Sequence, residues 1–375
     1  ITPNYEGPVI YVPDASRAVT VAEKMLGGDS KAYHDTVLEE YERIRAHHEL
    51  HNATKRMVPI EMARKNKLML EFSKETIVKP TKLGVFDGKI DVETLIPYID
   101  WSPFFRSWDL HGKYPEILAD SVVGVEATKL LDDAKACLSD GIKNEWFHPT
   151  YVYGIFSANA VGDDIEIYDE TTHQVLHRSI GLRQQIEKTS GQFNLCLSDY
   201  IAPKESGIAD YIGCFAVTSG DVTDVCKQFE ASHDDYTSIM IKAVADRLAE
   251  ALAEWLHERV RHTHWGYDKT SLKNEELIAE KYKGIRPAPG YPACPDHYEK
   301  LGIFQVLNAT ERIGVTLTES LAMHPASSVS GWYFAHPDAK YFGITAILED
   351  QFLSVCERRN VNKDEHISWF PFMKK

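Results

Sequence analysis

The stretch Tyr151-Val152-Tyr153-Gly154-Ile155-Phe156-Ser157 combines aromatic and β-branched residues and predicts a β-strand. Two further segments of this composition, Val329–Phe334 and Tyr341–Leu348, are joined by Ala335–Lys340, and we expect them to form a hairpin. Strands therefore dominate the middle and the end of the chain. The other segments of this composition are Asp164–Tyr168, Ala209–Thr218, Val315–Ala322, Val329–Phe334 and Tyr341–Leu348.

A long amphipathic helix is predicted between these strands, from about Asp234 to Arg261. His233-Asp234-Asp235 is an acidic start that suits the positive end of a helix. Strands and helices are grouped apart and do not alternate regularly, so we expect an α+β fold with a twisted, mainly antiparallel sheet and flanking helices. The apolar face of the long helix comprises Met240, Val244, Leu248, Ala251, Leu252 and Trp255.

The beginning of the chain has a different pattern. From Ala15 to about Leu50, apolar residues recur at helical spacing among Lys, Glu and Arg. A chain of 375 residues accommodates one large domain or two ordinary ones. We interpret residues 1–45 as a helical connector and residues 46–375 as a single large domain.

The composition is that of a folded globular protein, with 43% hydrophobic and 26% charged residues. A net charge of -15 argues against nucleic acid and against an anionic membrane surface, because both need a basic field. No apolar run approaches the roughly 20 residues of a membrane helix, and the first residues lack the features of a signal peptide. We therefore expect a cytoplasmic protein that binds neither nucleic acid nor membrane.

No metal site is predicted. The six cysteines include no C-x-x-C pair, so we expect reduced thiols. His47 and His51 are four residues apart, and His257, His262 and His264 lie near the end of the long helix. Neither group has a third ligand at a recognised spacing, and histidine near a helix C-terminus suits the helix dipole. We interpret these histidines as surface residues.

The segment Arg286-Pro287-Ala288-Pro289-Gly290-Tyr291-Pro292-Ala293-Cys294-Pro295-Asp296-His297 predicts a stiff, irregular loop, because proline restricts φ and lacks an N–H. A stiff loop that presents Arg286 and Tyr291 is suited to binding, since a guanidinium can grip a carboxylate or phosphate with two hydrogen bonds. The alternative is a structural linker in which Arg286 pairs with a nearby acid. The residues alone leave both interpretations open.

Three other residues have both a functional and a structural interpretation. Asp100 lies among aromatic residues, so its carboxylate needs a partner, and it either binds a ligand or caps a helix. Glu250 lies one turn before Glu254 on the long helix, in an acidic stripe that is usually a solvated face. Tyr341 opens the last predicted strand and would ordinarily belong to the core.

The chain resembles the C-terminal activation domain of cobalamin-dependent methionine synthases over roughly residues 50 to 350. The opening segment Tyr11–Arg17 resembles the end of the cobalamin-binding domain that precedes it in that family. The last residues, Trp369–Lys375, do not follow the family's usual terminus, and we assign them no role. The segments that carry the resemblance are Tyr98–Phe105, Val161–Ile165, Leu182–Gln185, His233–Tyr236, Leu256–Arg261, Arg286–His297, Leu317–Ser320 and Ser330–Phe334.

This resemblance implies a part in methyl transfer. Enzymes of the family move a methyl group from methyltetrahydrofolate to cobalamin and then to homocysteine. When the cofactor oxidises to cob(II)alamin, the activation domain binds S-adenosylmethionine, and a flavoprotein of the flavodoxin or methionine synthase reductase type supplies the electron for reductive remethylation. Cobalamin itself is held mainly by a domain absent from this chain, so the fragment alone is not expected to turn over.

The resemblance also implies roles for seven residues. Arg286 would grip the methionine carboxylate, Ala288 would offer backbone to the adenosyl part, and Tyr291 would lie beside the reacting end. Asp100 would bind the polar groups of the ligand, with Tyr341 and Phe342 on its adenosyl side. Glu250 would complement the sulfonium and ammonium charges. No catalytic acid or base is expected, because the sulfonium already activates the methyl group.

Two other functions remain open. A docking module would bind the flavoprotein and the cobalamin domain without a ligand of its own. An unrelated methyltransferase would act without any cobalamin protein. The presence of Arg286, Tyr291 and Asp100 together favours the S-adenosylmethionine-binding domain.

Overall fold

The structure, a computed structural model, describes residues 7–12, 15–53, 56–73 and 75–374, with the backbone alone at 15–17 and 47–53. The chain divides into two compact units, Ile1–Val58 and Pro59–Lys375. The predicted boundary between residues 45 and 46 stays a prediction. Residues 13 and 14 of the Tyr11–Arg17 segment lie outside the described residues, as do the side chains of His47 and His51.

The first unit contains the helices α1 (Ala15–Leu26) and α2 (Ser30–Ala53). The helical run predicted from Ala15 to Leu50 is therefore interrupted at residues 27–29. Two consecutive glycines at this point lower the helix propensity, and the N–H of Ser30 bonds to the carbonyl of Gly27 at 3.2 Å.

The second unit contains strands and helices whose bounds are as follows. The strands are β1 (Gly84–Lys89), β2 (Thr150–Val161), β3 (Asp164–Tyr168), β4 (Val175–Ser179), β5 (Asp210–Thr218), β6 (Thr316–Leu317), β7 (Met323–His324), β8 (Ser328–Tyr333), β9 (Ile347–Leu348) and β10 (Met373–Lys374). The helices are α3 (Ile60–Lys65), α4 (Val92–Leu95), α5 (Ser102–Ser107), α6 (Gly124–Lys143), α7 (Thr223–Ala231), α8 (Asp235–Arg259), α9 (Asn274–Ile278), α10 (Glu299–Leu307), α11 (Ala309–Ile313), α12 (Glu349–Arg359) and α13 (Lys363–His366).

The main sheet has six antiparallel strands and is organised around β2. One edge of β2 pairs with β1 along its first half and with β3 along its second half. The other edge pairs with β5, which in turn pairs with β8, so that Cys214 lies between Gly154 and Trp332. This arrangement confirms the predicted α+β class and the mainly antiparallel sheet.

Alternation along β2 explains why both faces of the sheet are covered. Tyr153 and Ile155 pack into a core that contains residues of α6 and α8, whereas Val152 and Phe156 pack into a second core with residues of α10. β5 is buried along its whole length because helices cover both faces. Among the described residues, no helix is long and apolar enough to cross a membrane.

Two strand predictions near the end of the chain are wrong. Only Thr316–Leu317 is a strand within Val315–Ala322, because the N–H of Thr318 bonds to the carbonyl of Ala322 and turns the chain. The hairpin is absent: Tyr341–Leu348 is irregular up to β9, and β9 pairs with β10. The β8 edge that this segment would need is already occupied, because Phe334 bonds to Ile285 and Trp332 bonds to Pro287.

Candidate ligand-binding site

The Pro-rich loop, residues 286–297, is irregular, as predicted, and internal hydrogen bonds hold its shape. The N–H of Tyr291 donates to the carbonyl of Ala288 at 3.1 Å, and the N–H of Cys294 donates to the carbonyl of Tyr291 at 2.9 Å. Gly290 has a φ of +97°, and a Cβ there would lie 2.3 Å from Cε1 of His297. Only glycine adopts this turn without strain.

The loop starts beside β8, and this position fixes where its side chains lie. The N–H of Trp332 donates to the carbonyl of Pro287 at 2.9 Å. Gly331 permits the close approach, because a Cβ at this position would lie 2.9 Å from the oxygen of Pro287. The Ser330-Gly331-Trp332 segment of β8 is therefore shaped to receive the loop.

A cavity of about 320 Å³ opens between the loop, helix α8 and the segment after β8. Phe215 and Val329 contribute from the sheet, and Glu280 follows α9. Six of the seven predicted site residues thus line a single cavity. These six are Glu250, Arg286, Ala288, Tyr291, Tyr341 and Phe342.

Asp100 lines a second cavity of about 440 Å³, which adjoins the first. The two cavities share four lining residues, namely Glu250, Glu280, Arg286 and Tyr291. Oδ1 of Asp100 accepts a hydrogen bond from the N–H of Ser102 at 2.9 Å, so Asp100 stabilises the start of α5 and also borders the cavity. Both interpretations of Asp100 are therefore compatible with its position.

Arg286 is tied to the protein through one nitrogen of its guanidinium. Nη1 lies 2.5 Å from Oε2 of Glu254, 3.3 Å from the hydroxyl of Tyr282 and 3.4 Å from Nδ1 of His257. The alternative that Arg286 pairs with a nearby acid is thus realised. Nε and Nη2 make no hydrogen bond to the described residues, so this edge of the guanidinium can receive a ligand.

The pairing corrects two predictions about α8. Glu254 does not belong to a solvated stripe, since only 8% of its surface is exposed. His257 is not a surface residue, since it is fully buried. Burial, together with the charges of Arg286 and Arg261, lowers the pKa of His257 well below its usual value, so the imidazole is neutral.

Two tyrosines complete the first cavity. The hydroxyl of Tyr341 accepts a hydrogen bond from the N–H of Arg286 at 3.0 Å, which leaves its own proton available to a ligand. The phenol of Tyr291 is 59% exposed, and the charge of Glu250 together with desolvation raises its pKa. Both hydroxyls therefore stay protonated near neutral pH and can donate hydrogen bonds.

The family profile described as "Vitamin B12 dependent methionine synthase, activation domain" matches residues 91–360. The chain belongs to this family. It is also similar to a crystal structure described as the MetH reactivation domain bound to AdoHcy, with 51% sequence identity and a TM-score of 0.82. The match covers 85% of this chain and 99% of that chain. Both findings confirm the family predicted from the sequence.

As a member of this family, the chain is an activation domain of vitamin B12-dependent methionine synthase, which is a methyltransferase. All six cysteines are buried and unpaired. Within the described residues, no group of three or more His, Cys, Asp or Glu side chains could hold a metal ion. The roles of the seven site residues stay predictions at this point.

Sequence reasoning missed three residues of the activation domain's cavities. Glu254 was visible four residues after Glu250, but its burial depends on Arg286, which is distant in sequence. Glu280 has a positive φ of 52°, and desolvation raises its pKa against the opposing effect of Arg286. Arg247 precedes Glu250 on α8 and lines the second cavity. Its helical spacing from Glu250 was the one available signal.

The two cavities together carry charges of both signs. The lining includes four carboxylates and three guanidinium groups, namely those of Asp100, Glu250, Glu254 and Glu280 and those of Arg106, Arg247 and Arg286. Apolar surface is concentrated in the first cavity, at residues such as Phe342 and Pro287. The arrangement suits a ligand with a flat apolar end and a polar end that bears both charges.

Proposed function

We propose that this activation domain binds S-adenosylmethionine in the two adjoining cavities and supports reductive remethylation of cob(II)alamin to methylcobalamin. The observation that carries the proposal is the convergence of the seven predicted residues on these cavities. The description of the similar crystal structure as bound to AdoHcy supports it, because AdoHcy differs from S-adenosylmethionine by the transferred methyl group.

The chemistry of the ligand matches the lining. S-adenosylmethionine has one carboxylate and two cationic centres, an ammonium and a sulfonium. The free edge of Arg286 can bind the carboxylate with two hydrogen bonds, while Asp100 and Glu250 complement the cations. Ala288, Tyr341 and Phe342 line the first cavity, where the adenosyl part would lie.

In this proposal the domain binds and orients the methyl donor. Cobalamin, carried mainly by a domain outside this chain, supplies the nucleophilic cobalt to which the methyl group passes. The side chains of the two cavities would hold the sulfonium beside Tyr291, which is exposed. The partners are the cobalamin-binding domain and a flavoprotein electron donor of the flavodoxin or methionine synthase reductase type. The fragment alone is not expected to turn over, and a cytoplasmic location stays a prediction.

Calorimetric titration with S-adenosylmethionine tests the proposal. We expect saturable binding by the parent and binding weaker by about tenfold or more in the double variant Arg286→Ala/Glu254→Gln, which avoids a bare buried carboxylate. Glu230→Gln is the matched control, because Glu230 pairs with Lys242 on α8 and lines neither cavity.

Other outcomes would contradict the proposal in distinct ways. No saturable binding by the parent would favour a docking module that binds the flavoprotein and the cobalamin domain without a ligand. Equal binding by the parent and the double variant would place the ligand away from Arg286. Methyl transfer without any cobalamin protein would indicate an independent methyltransferase.

A further inference from the structure

Arg286 is held by a buried assembly that the seven predicted residues do not include. We propose that Glu254, His257 and Tyr282 are positioning residues that orient Arg286 and thereby make the site select ligands with a carboxylate. This inference rests on the proposed function, because it concerns the same site.

The first argument is the geometry of the guanidinium. All three protein contacts of the side chain involve Nη1, and they come from Glu254, Tyr282 and His257. Three contacts on one nitrogen restrict rotation about the last bonds of a long side chain. The edge formed by Nε and Nη2 is then presented in a fixed direction, and this edge is one that binds a carboxylate with two parallel hydrogen bonds.

The second argument is that His257 acts with a defined tautomer. Arg286 can only donate, so Nδ1 of the neutral His257 must accept, and the proton lies on Nε2. Nε2 is 3.0 Å from the hydroxyl of Tyr267 and donates to it. The ring also stacks on Tyr333 at 5.2 Å with an interplanar angle of 10°. His257 therefore cannot turn away from Arg286 without losing these contacts.

The third argument is that Tyr282 is itself held in place. The guanidinium of Arg261 lies 4.4 Å from the centre of the Tyr282 ring, in a cation–π contact, and Nη1 of Arg261 lies 3.6 Å from Asp268. The ring of His257 meets the same ring edge-on at 4.8 Å. Tyr282 is thus held by two contacts to its ring while its hydroxyl lies 3.3 Å from Nη1 of Arg286.

Glu254 acts by orienting Arg286 and not by adding charge to the site. Its carboxylate is 8% exposed and neutralises Arg286, so the pair offers the ligand little net charge. The ligand carboxylate instead meets two donors that are already held in position. Binding therefore does not have to order the side chain of Arg286. A ligand without a carboxylate gains nothing from this arrangement, which explains how the assembly would confer selectivity.

The test compares S-adenosylmethionine with its decarboxylated analogue, which keeps the adenosyl, sulfonium and amino groups. Calorimetry measures both ligands on the parent, Glu254→Asp and Tyr282→Phe. These variants keep the net charge of the site, while Glu254→Asp withdraws the carboxylate from Arg286 by one methylene and Tyr282→Phe removes the hydroxyl that Nη1 contacts. Glu230→Asp and Tyr236→Phe are the matched controls, since both residues lie outside the two cavities.

We expect the parent to prefer S-adenosylmethionine by about tenfold or more. Glu254→Asp should weaken S-adenosylmethionine by about tenfold and leave the analogue within about twofold, and Tyr282→Phe should have a smaller effect in the same direction. Thermal unfolding shows whether each variant is folded. If Glu254→Asp does not fold, Tyr282→Phe still tests the inference.

Equal weakening of both ligands would reveal a merely structural role and overturn the inference. Unchanged affinity for S-adenosylmethionine in both variants would overturn it too. A parent that binds neither ligand would refute the proposed function itself, and this outcome is recognised before any variant is measured.

Discussion

Nη1 of Arg286 lies 2.5 Å from Oε2 of Glu254, and this ion pair links the Pro-rich loop to helix α8. Oε1 of Glu254 is buried and has no hydrogen-bond partner among the described residues. The carboxylate therefore depends on Arg286 for its neutralisation. A residue predicted to bind a ligand thus also stabilises the unliganded fold.

Arg286→Ala should consequently reduce stability as well as ligand affinity. We expect the free energy of unfolding to fall by about 3 kcal/mol, because removal of one partner leaves a buried charge unpaired. Denaturant unfolding measures this loss. Adding Glu254→Gln to Arg286→Ala should recover part of it, whereas an Arg286→Ala protein as stable as the parent would show that the pair contributes nothing.

Gly290→Ala tests whether the turn of the Pro-rich loop requires glycine. The φ of +97° is unfavourable for alanine, and the new Cβ would approach the ring of His297. Gly207→Ala is the control, because Gly207 also has a positive φ, of 69°, but open space around its missing Cβ. We expect Gly290→Ala to cost about 1–2 kcal/mol more than the control in thermal or denaturant unfolding. Equal costs would mean that the loop adapts freely.

The lowered pKa of His177 predicts that the protein loses stability in acid. Burial, together with the charge of Arg359, lowers the pKa of His177 from 6.5 to about 4. The unfolded chain therefore takes up a proton at higher pH than the folded chain, so the free energy of unfolding falls as the pH drops from 6.5 to 4. The contribution of His177 that is lost by pH 4 is about 3 kcal/mol at most.

His177→Gln should flatten the pH dependence of stability in this window. Denaturant unfolding at a series of pH values from 7 down to about 4 gives the slope for the parent and the variant. The exposed His111 provides the control His111→Gln, which should keep the slope of the parent. The same slope in His177→Gln and in the parent would assign the acid sensitivity to other groups.

Much of the sheet could be predicted because its strands are buried on both faces. Asp164–Tyr168 coincides with β3, and the predictions for β5 and β8 differ from the structure by one residue at the ends. β4 was missed because this edge strand contains His177 and Arg178, and its polar composition hides it. The hairpin prediction failed for a tertiary reason, since Ile285, just before the Pro-rich loop, occupies the edge of β8.

The residues of the candidate site likewise divide into those that local sequence predicts and those that it does not. The Pro-rich loop was recognisable because its stiffness follows from local composition, and Arg286 and Tyr291 are part of it. Glu254 was misjudged because the helical spacing that places it beside Glu250 cannot show which acid is covered by a distant loop. Partners in space that are far apart in sequence leave no periodic signal.

The position of the Pro-rich loop beside β8 has a consequence for self-association. A strand edge with unpaired N–H and C=O groups is a template on which another chain can add a strand. Ile285 and Pro287 take up the backbone groups of Phe334 and Trp332, and the proline ring lacks the N–H needed to extend the ladder outward. The segment that lines the first cavity thus also covers this edge of the sheet and disfavours strand addition by another chain.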